Sequence, residues 1–308
     1  MNMQHCETRP HTRIDVAGTG FTVLDRIFED GILGDESLGG SCGNVLVSLA
    51  MLQRCVAPVL ALGDDQVGER LVNEFAQAGA ITDYINRRTN LRSPMLNQIL
   101  DTLLGEHDFN SICHETNSEH PGYETIDQLE LKTAAPAIAQ CRIFYADRIS
   151  DSVLEAMKKA RHSGAIVYFE PSAIEENDLF DRALELTSIL KYSSDRLGDR
   201  LSTSRFDCIH IVTHGAAGLE VRDRQWTRWC ASTRAELVKD TCGSGDMVSV
   251  GLIDWLLTHH QSSSELSGSE LVDGVVAGQR LAAKNCAYAG ARGLFKEHGA
   301  EFARQILA

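Results

Sequence analysis

The sequence has few aromatic residues, no long apolar run and no closely paired cysteines, and each absence excludes a class of protein. No apolar stretch approaches the roughly 18 residues of a membrane-spanning helix, so the chain is predicted to be soluble. Its first residues, MNMQHCETRPHTRI, lack the apolar core of a signal peptide, which predicts a cytoplasmic protein that begins with a flexible arm over residues 1–13. The nine cysteines form no CxxC pair, a pattern typical of reduced thiols.

Basic residues are also in deficit. The chain has 29 lysines and arginines against 43 acidic residues, a formal net charge of −14, and its field repels nucleic acid and anionic membranes. With only 6% aromatic residues, the sequence does not indicate a pocket that stacks bases. A phosphate-bearing ligand remains compatible with this charge if helix N-termini and backbone amides form a local anion site.

Short apolar runs rich in β-branched residues recur along the chain and predict buried strands. They are IDVAG, PVLALG, RIFYAD, AIVYFEP, SILKY and CIHIVTHG. Helix-period segments such as GNVLVSLAMLQR and SDSVLEAMKKARHSG lie between them, and two further helices are predicted near residues 245–259 and 269–290, separated by QSSSELSGS. Strands that alternate with helices predict an α/β fold with a doubly wound, mostly parallel sheet and helices on both faces.

One segment interrupts the alternation. Between residues 81 and 115, MLNQIL and FNSICHE flank LGEHD, which predicts a β-hairpin inserted into a core made of residues 14–80 and 116–308. The inserted hairpin is interpreted either as a lid over a cleft or as a decorated edge of the sheet.

The stretch DTCGSGDMVSVG places an aspartate at the start of an apolar helix. Gly243 and Gly245 allow the backbone to turn so that amides face one point, and the helix dipole favours an anion there. Asp246 is interpreted either as a helix cap or as a functional base. In the functional interpretation, the amides of Gly243, Ser244 and Gly245 hold a phosphoryl group while Asp246, ionised at neutral pH, accepts the proton of an attacking hydroxyl.

DTCGSGD is similar to the DTxGAGD signature of the ribokinase (PfkB-type) carbohydrate and nucleoside kinase family. The likeness extends over about residues 14–295. VAGTGFTVLDRI resembles the family's first strand and turn, LGGSCGNVLVSLAML its GGxxxN element, and LGDDQVGERLVNEFAQAGA its LGxDxxGxxxxxxLxxxGV stretch. THGAAGLEVRD resembles the wall of the family's nucleotide pocket, and AAKNCAYAGARG its late helix and loop near the adenine.

The resemblance implies a ribokinase-like fold with a small β lid over residues 81–115, ATP and Mg²⁺ as cofactors, and a sugar or nucleoside acceptor. It implies Asp246 as the base and the amides of Gly243, Ser244 and Gly245 as the anion hole. Two further groups of residues are expected around them. Acceptor contacts are expected from Asp25, Gly39, Gly40, Asn44 and the lid residue Arg92. Nucleotide contacts are expected from Lys191, Ser193, Thr213, Gly215, Gly218 and Asn285.

Three positions depart from the family pattern. KYSSDRL has Ser193 and Arg196 where many members carry NxxE, a motif that helps to order magnesium. FEPS stands where relatives often show DPN, and Cys242 lies in the signature near the monovalent-cation loop, so dependence on a monovalent cation is doubtful. Three hypotheses therefore remain open: a sugar kinase, a nucleoside kinase, and a ribokinase-like binding or regulatory protein with weak turnover. Lid edges often pair in this family, so a homodimer through the lid is one possible assembly.

Overall fold

The computed structural model describes residues 13–101, 106–113, 115–174, 176–201, 207–260 and 266–308. The arm predicted over residues 1–13 therefore lies almost wholly outside the described residues, as do the tip of the predicted hairpin at residues 102–105 and most of the QSSSELSGS loop. Within the described part, no helix is both long and apolar enough to cross a membrane.

Eight strands form the main sheet. In spatial order they are β14 (Thr227–Ala231), β13 (Gly218–Arg222), β12 (Ile209–Thr213), β11 (Ile189–Ser193), β10 (Ile166–Phe169), β9 (Ile143–Ala146), β1 (Val16–Thr19) and β4 (Val56–Pro58). The six strands from β4 to β12 are parallel, and β13 and β14 are added antiparallel at one edge. The predicted α/β fold with a mostly parallel sheet is confirmed.

Helices cover both faces of this sheet. In chain order they are α1 (Ser41–Met51), α2 (Gln66–Ala78), α3 (Gln128–Gln140), α4 (Asp151–His162), α5 (Asn177–Leu186), α6 (Ser194–Leu201), α7 (Ser244–His259), α8 (Val272–Asn285) and α9 (Gly293–Leu307). Alternate strand residues enter separate cores: Tyr145 and Tyr168 pack with α1, α7 and α8, whereas Phe144 and Phe169 pack with α3, α4 and α5. Strands buried on both faces read as continuous apolar runs, which is why the sequence revealed them.

A second sheet has the order β3 (Ile32–Gly39), β2 (Val23–Glu29), β7 (Met95–Asp101) and β8 (Glu106–Asn110). It is larger than the predicted hairpin, because it takes two strands from before residue 81. Asp30 and Gly31, both at positive φ, make the tight turn between β2 and β3. The beginning of the predicted insertion pairs elsewhere, since β6 (Ile85–Arg88) joins β5 (Leu60–Gly63) in a two-stranded sheet.

Two local predictions need correction. PVLALG is not one strand: β4 belongs to the main sheet, whereas β5 leaves it to pair with β6. The C-terminal region also has one more helix than expected, because the chain turns at Gly290 (φ 78°) and starts α9 at Gly293.

The order of the strands reverses beside β1, whose neighbours are β4 on one side and β9 on the other. Ligands of open α/β sheets bind at the carboxyl ends of the strands where such a reversal occurs. Residues that follow β1 and β9, and the start of α1, are therefore the first place to look for a site.

Candidate active site

The loop before α7 is shaped by glycine. Gly243 adopts φ 67°, and a Cβ there would lie 2.2 Å from the Cβ of Ala291. The amide of Ser244 donates to the Thr241 carbonyl at 3.2 Å, whereas the amides of Gly243 and Gly245 have no acceptor among the described residues. Of the three amides predicted to form an anion hole, those of Gly243 and Gly245 are therefore free at the positive end of a 16-residue helix.

Asp246 lies in the first turn of α7, and its Oδ2 accepts a hydrogen bond of 2.8 Å from Asn44 Nδ2 on α1. Although the two residues are 202 positions apart, the fold brings them together. Burial and the nearby Glu170 carboxylate raise the pKa of Asp246 well above its ordinary value, against the lowering effects of Asn44 and Lys191. The expectation of an ordinary aspartate pKa is therefore wrong for Asp246. The physical reason is desolvation, which disfavours the charged form.

A cation stands at the same helix end. Lys191, 3% exposed, forms an ion pair with Glu170, and its Nζ would lie 3.5 Å from a Cβ placed on Gly245. The other carboxylate oxygen of Glu170 accepts from Ser249 Oγ at 2.5 Å and from Tyr145 OH at 3.1 Å. These contacts hold the ammonium next to Gly245, so that the ammonium and the free amides of the α7 N-terminus together can neutralise an anion.

Asp25 lies on β2 directly against the paired glycines. A Cβ on Gly39 would be 1.8 Å from Asp25 Oδ2, and one on Gly40 (φ 77°) would be 2.4 Å from the Phe21 carbonyl oxygen. Only glycine fits either position. Burial raises the pKa of Asp25 to about 7, although Arg292 acts in the opposite direction.

Arg292 lies near the Asp25 carboxylate and links the neighbouring segments. Its Nη2 donates to the Leu38 carbonyl at 2.5 Å and lies 3.3 Å from Glu74 Oε2, while the other Glu74 oxygen accepts from the Leu38 amide at 2.9 Å. Sequence reasoning missed Arg292 and Glu74, because their ion pair joins α2 and the start of α9 across 218 positions.

Asp147 was also missed. It follows β9 at the reversal of strand order, is 1% exposed, and accepts from the amides of Phe21 at 2.8 Å and Cys42 at 3.0 Å. Burial raises the pKa of Asp147 to about 6, although Arg148 opposes the shift. Its bonds hold the turn after β1 against the start of α1, and α1 carries Asn44. The signal was present in the sequence, since RIFYAD ends a buried strand with a carboxylate.

Comparison with known proteins identifies the family of this site. The pfkB family carbohydrate kinase profile matches residues 34–297, which includes the glycine pair, Asn44 and the whole loop before α7. The chain belongs to the pfkB family of carbohydrate kinases. It is therefore a phosphotransferase of the carbohydrate kinase class.

Individual relatives are distant in sequence. The kinase is 24% identical over 268 residues to a fructokinase of Vibrio alginolyticus, an alignment that covers 78% of this chain and 83% of the relative. It is 26% identical to the aminoimidazole riboside kinase of Salmonella typhimurium, with 70% and 72% covered.

Solved structures agree on the fold. A fructokinase from Xylella fastidiosa with bound ATP superimposes with a TM-score of 0.76 at 20% identity, covering 95% of this kinase and 98% of the other chain. The aminoimidazole riboside kinase from Salmonella enterica, complexed with aminoimidazole riboside and an ATP analogue, gives 0.73 at 19% identity, with 96% and 100% covered. At these identities the likeness shows a ribokinase-like fold.

The residues expected at the nucleotide lie in two places in the kinase. Ser193 and Thr213 are paired across the ends of β11 and β12, and Gly215 and Gly218 flank the turn into β13. Asn285 differs, because its amide is engaged within the loop: Nδ2 donates to the carbonyls of Gly290 (3.4 Å) and Ala291 (3.1 Å), and Oδ1 accepts from the Leu294 amide. The structure thus gives the Asn285 side chain a loop-building role.

Arg92 is exposed on the segment between β6 and β7, so its predicted contact with the acceptor stays a prediction. Arg88, which ends β6, is paired with the buried Glu130 and with Asp127. Its charge is used inside the protein.

Magnesium finds little support in the protein itself. The described residues contain no cluster of three acidic, histidine or cysteine side chains that could hold a metal ion. At the positions of the NxxE motif, Ser193 ends β11, and Arg196 and the neighbouring Asp195 are exposed on α6. Both oxygens of Glu170 are already engaged. These residues do not fit a metal site built by the protein.

Proposed function

We propose that the protein transfers the γ-phosphoryl group of ATP to a hydroxyl of a sugar or a sugar-like small molecule. The contact between Asn44 and Asp246 at the free amides of the α7 N-terminus is the observation that carries the proposal. It joins the acceptor side of the cleft to an anion-binding helix end. The family and the ATP-bound fructokinase neighbour support the same reaction.

In this reaction Asp246 acts as the base. The acceptor hydroxyl donates to its free carboxylate oxygen, and its proton passes to Asp246 as the hydroxyl oxygen forms a bond to the γ-phosphorus. The bond from that phosphorus to the bridging oxygen breaks, and ADP leaves. Asp246 is active in its ionised form. Because its pKa is raised, the ionised carboxylate is a stronger base than that of an ordinary aspartate. Asn44 holds the other oxygen and fixes the direction of the carboxylate.

Charge neutralisation is the second requirement. We assign it to Lys191 and to the amides of Gly243 and Gly245 at the N-terminus of α7. Preorganised donors of this kind stabilise the charge that develops in phosphoryl transfer. Mg²⁺, when it arrives with ATP, would add positive charge at the phosphates and keep mainly phosphate and water ligands.

The acceptor is proposed to lie between Asp25, the Gly39–Gly40 pair and Asn44. Asp25 is buried and faces the glycines, so its carboxylate can bind hydroxyl groups as a hydrogen-bond acceptor. The second sheet is proposed to act as a lid, with Arg92 on the segment that leads into it. Pairing of two lids into a dimer stays a prediction, for which the edge strands β3 and β8 are available.

A riboside is the second candidate acceptor, because one distant relative is an aminoimidazole riboside kinase. A regulatory protein without turnover is disfavoured by the intact arrangement of Asn44, Asp246 and Lys191.

The experiment is a panel of acceptors. ADP release from MgATP is measured with D-fructose, D-ribose, aminoimidazole riboside, adenosine and no acceptor, and the phosphorylated hydroxyl is located by ³¹P NMR. We expect release to depend on one class of acceptor and a phosphate monoester to appear on a single hydroxyl. Bound ATP with no ester from any sugar or riboside would contradict the proposal.

A further inference from the structure

Asp240, the first residue of the motif DTCGSGD, is fully buried and is contacted by β7, β8, the loop before α7 and the loop after α8. Oδ2 accepts from Gln98 Nε2 and from the Gly290 amide, both at 2.7 Å. Oδ1 accepts from the Cys242 amide at 2.8 Å and lies 3.3 Å from His107 Nδ1. Burial opposes the charge, yet the hydrogen bonds from His107, Cys242, Gly290 and Gln98 prevail and lower the pKa of Asp240.

Two of these donors belong to the loops of the active site. Cys242 is next to Gly243, and Gly290 is next to Ala291, on which Gly243 packs. The Asp240 carboxylate therefore fixes the backbone that presents the free amides of Gly243 and Gly245 and, immediately after them, Asp246.

The other two contacts of Asp240 come from the second sheet. Gln98 lies on β7 and is 1% exposed, and His107 lies on β8. Both side chains contact the Asp240 carboxylate, which lies in the core and outside their own sheet. If the second sheet moved away, the buried Asp240 carboxylate would lose its hydrogen bond from Gln98 and its contact with His107, and such a loss is costly.

We infer that Asp240 is a positioning residue that couples the second sheet to the anion loop. When the second sheet is closed, Gln98 and His107 hold Asp240, and Asp240 holds the amides of Cys242 and Gly290. The anion loop then reaches its working shape only with the sheet in place, which suppresses transfer of the phosphoryl group to water. Only the kinetic part of this inference rests on the proposed function.

The first test needs no enzymatic activity. Gln98→Met removes the hydrogen bond and keeps the volume of the side chain. Asn97→Leu is the matched control, because Asn97 is the neighbouring buried amide on β7 and donates to the Ile112 carbonyl at 2.7 Å within the second-sheet region. Hydrogen exchange of the Cys242 and Gly290 amides is measured in both variants. We expect exchange at least about tenfold faster in Gln98→Met alone, since a hydrogen bond to a charged group is lost.

The second test is kinetic and uses MgATP with the best acceptor of the panel above. Gln98→Met is expected to lower kcat about tenfold with little change in the KM for ATP, and to raise the fraction of ADP released without acceptor. In the Asp240→Asn background the same change should have no further effect, because Gln98 acts through Asp240. His107→Gln provides a second lid variant if Gln98→Met folds poorly.

The inference is overturned if Gln98→Met and Asn97→Leu accelerate exchange equally, or if Gln98→Met and Asp240→Asn have additive effects on kcat. Failure of the whole acceptor panel would instead contradict the proposed function, and the exchange experiment would still decide the coupling.

Discussion

The properties of single residues at this site depend on neighbours that are distant in sequence. Asp246 is the clearest case, because Glu170, Asn44 and Lys191 all act on its pKa. The sequence singled out Asp246 and Asn44 through their motifs, yet it could not give their mutual contact or the raised pKa. Asp147 and Arg292 escaped notice for the same reason, since both act through backbone groups of other segments.

Lys191 carries the first prediction at the residue scale. Lys191→Met is expected to lower kcat about a hundredfold, the cost of removing one preorganised positive group at the transferring phosphoryl. The same change leaves Glu170, whose side chain is 11% exposed, without its ion-pair partner, so stability should also fall by about 3 kcal/mol. Steady-state kinetics and thermal unfolding measure the two effects.

A double variant separates the two effects. Adding Glu170→Gln to Lys191→Met removes the unpaired charge, so the melting temperature should recover while kcat stays low. Recovery of kcat together with stability would show that Lys191 only supports the fold.

At the scale of elements, patterns within one segment were informative and pairings between segments were not. The parallel strands and the start of α7 were predicted because their apolar runs and glycines are contiguous. The second sheet was predicted only as a hairpin, because β2 pairs in parallel with β7 across about seventy positions and periodicity carries no such information. One local signal was available, because the pair Asp30-Gly31 between two strands is typical of a tight β-turn.

The loop before α7 also shows that a sequence motif predicts less than the folded geometry reveals. The glycines predicted a tight turn and an anion site. Which amides are free was decided by the packing of Gly243 on Ala291 and by the bond from Ser244 to Thr241. The packing of Gly243 on Ala291 forms only when the chain after α8 folds back against the loop.

On the scale of the whole molecule, the fold collects buried carboxylates around one cleft. Asp25, Asp147 and Asp246 all have a raised pKa, and burial is the largest cause for each. Burying these acids away from water lowers the stability of the folded protein, and the sequence composition does not reveal this cost. Their concentration where the strand order reverses is typical of a functional site.

This arrangement predicts a pH-dependent effect of Asp25→Asn. The folded pKa of Asp25 is about 7, above the ordinary value of an aspartate, so its stabilising contribution is complete at low pH and is lost as the pH rises through 7. Asparagine does not titrate. Relative to the native protein, Asp25→Asn should therefore gain about 2 kcal/mol of stability between about pH 5.5 and 8.

Chemical denaturation of the ligand-free proteins across this range measures the difference. Asp147, Asp246 and His210 also have shifted pKa values, but all three are present in both proteins, so their contributions cancel in the difference. A stability difference that does not change with pH would show that Asp25 is ionised throughout.

The measurement that bears most directly on Asp246 compares the native protein with Asp246→Asn. ATP binding is measured by calorimetry, and acceptor-dependent ADP release is measured beside it. We expect the variant to bind ATP with similar affinity and to lose at least about a hundredfold in kcat, because asparagine cannot take the proton of the acceptor hydroxyl. Turnover by Asp246→Asn close to that of the native protein would contradict the assignment of Asp246 as the base.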